Sequence, residues 1–220
     1  MILTPENYER LWEGVQVTVT VFVLSVLLGA VLSLIFGVAK MSQHAWVRAI
    51  ANVYVEFARG VSAIILLFWV FFSLPTLLGI SLSPLTAGFL ALGVNMGAYG
   101  AEVVRGGLQN VPRGQTEATV ALNMKSSQRL RYVILPQAIP VILPPFGNLM
   151  IEILKGTALV SLITLSDLTF EVDKLRTTNV TEGPILFLHA LIIYFILAQI
   201  ISTAVGFFER RSARRFGLVS

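Results

Sequence analysis

Two charged side chains interrupt an otherwise apolar stretch about two thirds of the way along the sequence. Glu152 and Lys155 are three residues apart, with Asn148 one turn earlier, so a helix would carry all three on one face. A carboxylate, an ammonium and an amide in that arrangement can hold the two charges of a zwitterion. They can equally neutralise each other, because an i,i+3 ion pair also hides two charges. Thr157 and Ser161 could add hydroxyls to the same site, although Ser and Thr commonly bond the carbonyls of their own helix. Glu56 and Arg59 form a second i,i+3 couple, close enough to the end of their apolar run to snorkel as a pair. His189 is a lone histidine whose ordinary role is a helix–helix contact, and Asn95, between Gly93 and Gly97, fits close helix packing with an interhelical hydrogen bond.

Other chemistries lack their residues. The chain has no cysteine and two histidines, His44 and His189, and it contains no His-Glu-x-x-His, no Gly-x-Ser-x-Gly and no Gly-x-x-x-x-Gly-Lys-Ser/Thr. Disulfides, thiolate metal sites and the usual nucleotide loop are therefore excluded. An integral-membrane enzyme would have only Glu152 and Lys155 to work with and no convincing nucleophile. A stand-alone channel or ion-driven carrier is the other alternative; such carriers usually show internal repeats, and none is visible here.

The elements that position these residues are membrane spans. Of 220 residues 55% are hydrophobic and 13% charged, and mean hydropathy is +0.80, the composition of an all-α polytopic membrane protein. Charge-free runs, each needing about 20 residues to cross the hydrocarbon, predict five spans in one domain at about 14–39, 49–74, 85–104, 136–166 and 183–208. Pro75, Gly79 and Pro84 supply the turn between the second and third. Pro136, Pro140, Pro144 and Pro145 are expected to break the first half of the fourth, an irregularity tolerated at membrane depth only beside protein or water. The acidic Glu6, Glu9 and Glu13 before the first run oppose a signal peptide. Asp167 to Glu182 is expected to be a polar linker, and Glu209 to Phe216 a basic membrane-surface tail. Trp12 and Trp46 suit interfacial belts, while Trp69 and its neighbouring phenylalanines suit either lipid or an aromatic wall for a cationic solute.

Basic residues set the orientation. Eleven of the sixteen fall in one set of loops and the C-terminal tail, and three, Arg10, Lys174 and Arg176, in the other. The first set is predicted cytoplasmic, with the N-terminus outside and the C-terminus inside. The net charge of +4 is thus a topology signal and not a nucleic-acid footprint.

The longest basic loop, 111–135, has an internal design. Thr116 to Leu122 can form a short helix with Glu117 and Thr119 on one side and Ala118, Ala121 and Leu122 on the other, a knob suited to a partner's cleft. Asn123 should end it in the left-handed conformation, Ser126 or Ser127 should cap a second helix, and Pro136 should interrupt the pattern.

The spacing of this loop resembles the EAA loop of ABC importer membrane subunits. Glu117-Ala118-Thr119 is followed after three residues by Asn123 and after nine more by Val133-Ile134-Leu135-Pro136, with Thr119 for Ala, Asn123 for Gly and Val133 for Ile as departures. Gly14-Val15-Gln16-Val17-Thr18, Glu56 to Gly60, Leu92 to Tyr99, Val111 to Gln115 and Leu154 to Ser161 extend the resemblance to the polar amino acid uptake permeases. Phe68 to Phe72, Ala121 to Met124 and Ser161 to Leu168 resemble the narrower ectoine and hydroxyectoine branch. The resemblance implies a type I ABC importer fold of five helices in a bacterial plasma (inner) membrane. It implies pairing with a second, identical or related permease, a pair of ATPase subunits that bind the ATP, and delivery of a small zwitterion by an extracytoplasmic binding protein. Gly114, Thr116, Glu117, Ala118, Leu122 and Asn123 would engage the ATPase. Asn148, Glu152, Lys155, Thr157 and Ser161 are the candidate solute residues.

Overall fold

A computed structural model describes residues 5–178 and 180–215. Ten helices follow in order: α1 (Pro5–Ala39), α2 (Ala45–Gly60), α3 (Ala63–Phe68), α4 (Leu74–Leu78), α5 (Pro84–Gln109), α6 (Arg113–Ala121), α7 (Ser126–Arg129), α8 (Leu135–Gly156), α9 (Leu168–Thr178) and α10 (Gly183–Arg215). No strand occurs among the described residues. Among the described residues four helices are long and apolar enough to cross a membrane, with a fifth crossing if α2 and the α3–α4 run count as one bent span.

The centre is the α1–α5 pair, and small residues make it close. Gly29, Ser33 and Gly37 on the buried face of α1 meet Met96, Gly100 and Val104 of α5, while Gly14 and Thr18 continue that face against Leu168 of α9. Between membrane helices no hydrophobic force discriminates lipid from protein, so close backbone approach and dispersion hold the pair. A methyl at Gly100 would sit 2.0 Å from the Ser33 hydroxyl, and one at Gly97 would sit 2.6 Å from Leu32 Cβ. Ser33 Oγ donates to Gly29 O at 2.6 Å, which lets a polar side chain occupy the contact. Around this seam Val21, Leu67, Leu92, Met96, Leu154, Val160 and Ile163 form the main core.

The second expected span, 49–74, is not one rod. It ends at Gly60, turns through 105° and restarts at Ala63. Val61 and Ser62 are extended, with ψ of 140° and 135°. Trp69–Ser73 then forms a wide i→i+5 turn before α4, which ends on Gly79 at φ 65°.

The prolines do not break the fourth span. From Ser126 the helix runs to Gly156 and tightens into a 3-10 segment, Thr157–Ile163. The strain of Pro136 is taken up just before it, where Leu130–Ile134 widens to i→i+5 bonding, Leu135 N–H reaching Leu130 O. A wider turn moves the carbonyl four residues back out of the proline ring's way. Nor does a serine cap α7: both serines are already helical, and Gln128 Oε1 receives the N–H of Lys125 at 2.9 Å.

The segment expected as a linker is mostly helix. α9 buries Leu168, Glu171, Val172 and Leu175 and packs on α1 and α10, because those residues recur at helical spacing. α10 continues through the basic tail to Arg215; Phe216 lies outside the described residues.

Candidate functional site

Helix α8 presents one uncovered strip made of Val141, Pro145, Asn148, Glu152 and Lys155, all exposed. The opposite side of α8 is closed: Gly147 meets Val205 of α10, and Ile153 and Leu154 are buried. Glu152 and Lys155 form no ion pair with each other or with any described residue. The mutual neutralisation that their spacing allows is therefore not the arrangement adopted. Charges on a span are costly unless water, protein or a ligand meets them.

Thr157 and Ser161 are arranged differently. Thr157 is fully buried and its hydroxyl donates to Leu154 O at 2.7 Å, while Ser161 donates to Ala158 O at 2.7 Å. Both hydroxyls serve the tightened turn, the local bonding Ser and Thr commonly make. Only Asn148, Glu152 and Lys155 of the five candidates share the open face.

That face continues onto α5, where Asn95, Tyr99 and Val103 are half-buried and Gly106 exposed at i, i+4, i+8 and i+11. α8 flanks one side of this strip, with Phe146 beside Gly100 and Ile142 beside Gly107. α2 flanks the other. Asn95 Nδ2 donates to Ala58 O at 3.0 Å and Tyr99 Oη to Arg59 O at 3.3 Å. Asn95 thus makes the interhelical bond expected of it, while Glu56 and Arg59 do not pair. The Arg59 guanidinium lies 5.2 Å over the Tyr99 ring instead.

At the end of the bundle where α6 lies, the carboxylate of Glu102 receives Lys40 Nζ from the end of α1 and Arg105 Nε at 2.7 Å. Arg105 also donates to Gln109 Oε1 at 2.8 Å. Nothing in the sequence joins Lys40 to Glu102, because only the α1–α5 crossing brings them together.

The loop at that end folds close to expectation. α6 begins three residues earlier than predicted, and Asn123 takes φ 55°, the left-handed position expected of it. Thr119 is buried and donates to Thr116 O at 2.7 Å, so it belongs with the bundle side of the helix and not with Glu117. Gly114, Glu117, Ala118 and Leu122 are exposed, Leu122 by 75%, and Thr116 is half-buried. Gln137 Nε2 donates to Gln115 Oε1 at 3.2 Å, tying α6 to the start of α8.

At the opposite end lies a buried polar node that sequence reading missed. Asp167 is fully buried and accepts the Phe170 N–H at 2.9 Å, so it caps α9. Tyr194 Oη of α10 reaches its other oxygen at 3.5 Å and Thr169 Oγ1 at 3.1 Å, and Leu168 N–H donates to Thr18 of α1 at 3.1 Å. Burial pushes the Asp167 carboxyl up to about 6, against the hydrogen bonds from Phe170, Thr169 and Tyr194 that favour its charged form. The available signal was an Asp followed by an apolar run at helical spacing, the mark of a helix start. Similarly, His189 serves as a helix contact: Nδ1 meets Ile185 O at 2.8 Å and the ring packs edge-on to Tyr8 of α1.

A small-residue helix seam, charges without an ion-pair partner among the described residues on one open helix face, and a short exposed helix between spans are what a membrane transport subunit needs. The chain belongs to the family described as binding-protein-dependent transport system inner membrane component, which matches residues 17–214. It is 44% identical over 209 residues to the probable amino-acid ABC transporter permease protein y4tF of Sinorhizobium fredii (strain NBRC 101917 / NGR234), covering 93% of this chain and 87% of that one. It is 32% identical over 201 residues to the L-cystine transport system permease protein TcyB of Bacillus subtilis (strain 168), covering 91% and 86%. The crystal structure of an amino acid ABC transporter with histidines matches with a TM-score of 0.84 at 32% identity, over 96% of this chain and all of that one. The MetNI methionine transporter, at 22% identity and a TM-score of 0.82, shares the fold. The fold is that of type I ABC importer permeases, and the chain is a multi-pass inner-membrane permease subunit of that family.

Proposed function

We propose that this chain forms, with a second permease subunit, the translocation pathway for a polar amino acid or an amino-acid-like zwitterion, and that the strip Asn148, Glu152 and Lys155 faces that pathway. The observation carrying this reading is that Glu152 and Lys155 have no ion-pair partner among the described residues, on an exposed face within a span. In this reading a paired ATPase supplies the energy, an extracytoplasmic binding protein delivers the solute, and the α6 end is cytoplasmic with the N-terminus outside, as the basic residues favour.

Gly114, Thr116, Glu117, Ala118, Leu122 and Asn123 form the coupling surface. The exposed side of α6 seats in the ATPase, and the Gln115–Gln137 bond and buried Thr119 make α6 move with α8. Nucleotide then biases two arrangements of the spans, alternating access to the strip. Ectoine or hydroxyectoine is the narrower form of the reading, supported by the sequence resemblance at 68–72, 121–124 and 161–168.

The test is ATP-dependent uptake by proteoliposomes carrying the permease, its ATPase and its binding protein, against a panel of labelled L-amino acids, ectoine and hydroxyectoine. Uptake of one panel member that is lost in Glu117→Lys, with the complex still inserted, is the expected result. Normal ATP-driven uptake by Glu117→Lys would sink the coupling role, and no uptake of any panel member would sink the zwitterion reading.

A further inference from the structure

Arg59 is another unpaired charge on the same open side of the bundle. It is the penultimate residue of α2, directly before the 105° break. The helix end does not need its side chain: Val61 N–H bonds Phe57 O at 3.1 Å, Asn95 bonds Ala58 O, and Tyr99 bonds Arg59 O. The guanidinium is exposed and lies over Tyr99, a residue of the open α5 strip, so it points toward that strip. No described carboxylate pairs with it, including Glu56 one turn earlier.

Depth agrees as well. α8 runs antiparallel to α5, with Phe146 at the level of Gly100 and Gly156 at the level of Leu92. Asn148 and Glu152 therefore sit at the level of about Asn95 to Tyr99, the residues that grip Ala58 and Arg59. At about 1.5 Å per residue, Arg59 and the α8 strip differ in depth by roughly one turn. A cation on α2 thus faces the open α5 strip from one side, and a carboxylate and an amide on α8 face it from the other.

The geometry points to Arg59 as the residue that binds the carboxylate of the solute, with Tyr99 as the platform that holds the guanidinium plane. This assignment rests on the proposed pathway role of Glu152 and extends it. A guanidinium offers two parallel N–H donors that match a carboxylate, and stacking on an aromatic face fixes its orientation beforehand. Lys155 fits this task less well, because a carboxylate bound there would lie beside Glu152 on the same helix face. With the carboxylate on Arg59, the ammonium is left to Glu152 and the amide of Asn148 to the solute's polar groups.

The test uses the permease–ATPase assembly in lipid nanodiscs without binding protein, so that the permease alone discriminates. Saturation-transfer NMR would measure affinities for the proteinogenic L-amino acids, their decarboxylated amines, ectoine and hydroxyectoine. The expected result is that an amino acid binds at least about tenfold more tightly than its amine. Arg59→Gln should remove that preference, weakening the amino acid by about tenfold to a hundredfold, the range for a lost hydrogen bond to a charged group, and leaving the amine unchanged. Arg59→Lys, which keeps the charge and the fold but not the fork, should fall between. Glu152→Gln should weaken amino acid and amine alike.

An unchanged preference in Arg59→Gln and Arg59→Lys would overturn the assignment and leave the α8 reading intact. Loss of preference in Arg59→Gln with no effect of Glu152→Gln would keep Arg59 and discard Glu152. Binding of no amino acid, ectoine or hydroxyectoine by the unsubstituted assembly would overturn both.

Discussion

Replacing Asp167 by Asn should stabilise this protein at neutral pH and do little in acid. Asp167 lies beyond the hydropathic end of the α8 span at Ile163 and before α10 begins at Gly183. Its carboxyl rises from the ordinary 3.8 to about 6, with burial the dominant cause. The folded chain therefore holds this proton more tightly than the unfolded chain. The contribution of Asp167 to stability is fully present below about pH 4 and is lost as pH rises through about 6. Taking ~1.4 kcal/mol for each pH unit between the two values, the ionised carboxylate costs the fold about 3 kcal/mol at about pH 7.5. Asn removes that cost while its Oδ1 still accepts the Phe170 N–H and its amide can donate to Tyr194 Oη. Thermal unfolding of the detergent-solubilised complex, measured for both forms from about pH 4 to about pH 8, should show the Asp167→Asn variant gaining on the parent as pH rises from about 4 to about 7. A constant offset across that range, or a variant less stable than the parent at the alkaline end, would refute the reasoning and show the carboxylate to be held by its hydrogen bonds despite burial.

Two further substitutions probe the loop and the seam. Asn123→Gly should leave the α6 turn intact, since Gly accepts φ 55° freely, whereas Asn123→Val forces a β-branched residue into the left-handed region at roughly 1–2 kcal/mol; under the proposed coupling role that corresponds to about a five- to thirtyfold loss of ATPase retention in a pull-down, and equal retention by both variants would be inconsistent with it. Gly100→Ala places a methyl 2.0 Å from Ser33 Oγ and should cost about 1–3 kcal/mol in a melt; the double variant Ser33→Ala with Gly100→Ala should recover part of it, and full additivity would mean that the two sites do not touch.

Local chemistry was legible where it acts over a few residues. The left-handed turn at Asn123 follows from what Asn tolerates, and the interhelical role of Asn95 follows from the glycines around it. The order of the long apolar helices follows from the apolar runs, because lipid rejects most charge; among the described residues four are long enough to cross, and a fifth crossing depends on reading α2 and the α3–α4 run as one bent span. The candidate site was only partly legible. Asn148, Glu152 and Lys155 share a face by spacing alone, but whether that face is covered depends on where α10 and α5 pack.

What the sequence by itself determined is the membrane class, the family and the short helix between spans, since each is written in composition or in contiguous spacing. Tertiary structure decided the rest. It drew Thr157 into the core and left Glu152 unpaired, laid Arg59 over Tyr99 forty residues away, and joined Lys40 to Glu102 and Asp167 to Tyr194. Spacing sets which residues a helix shows together, while long-range packing sets which of them remain open and what lies opposite.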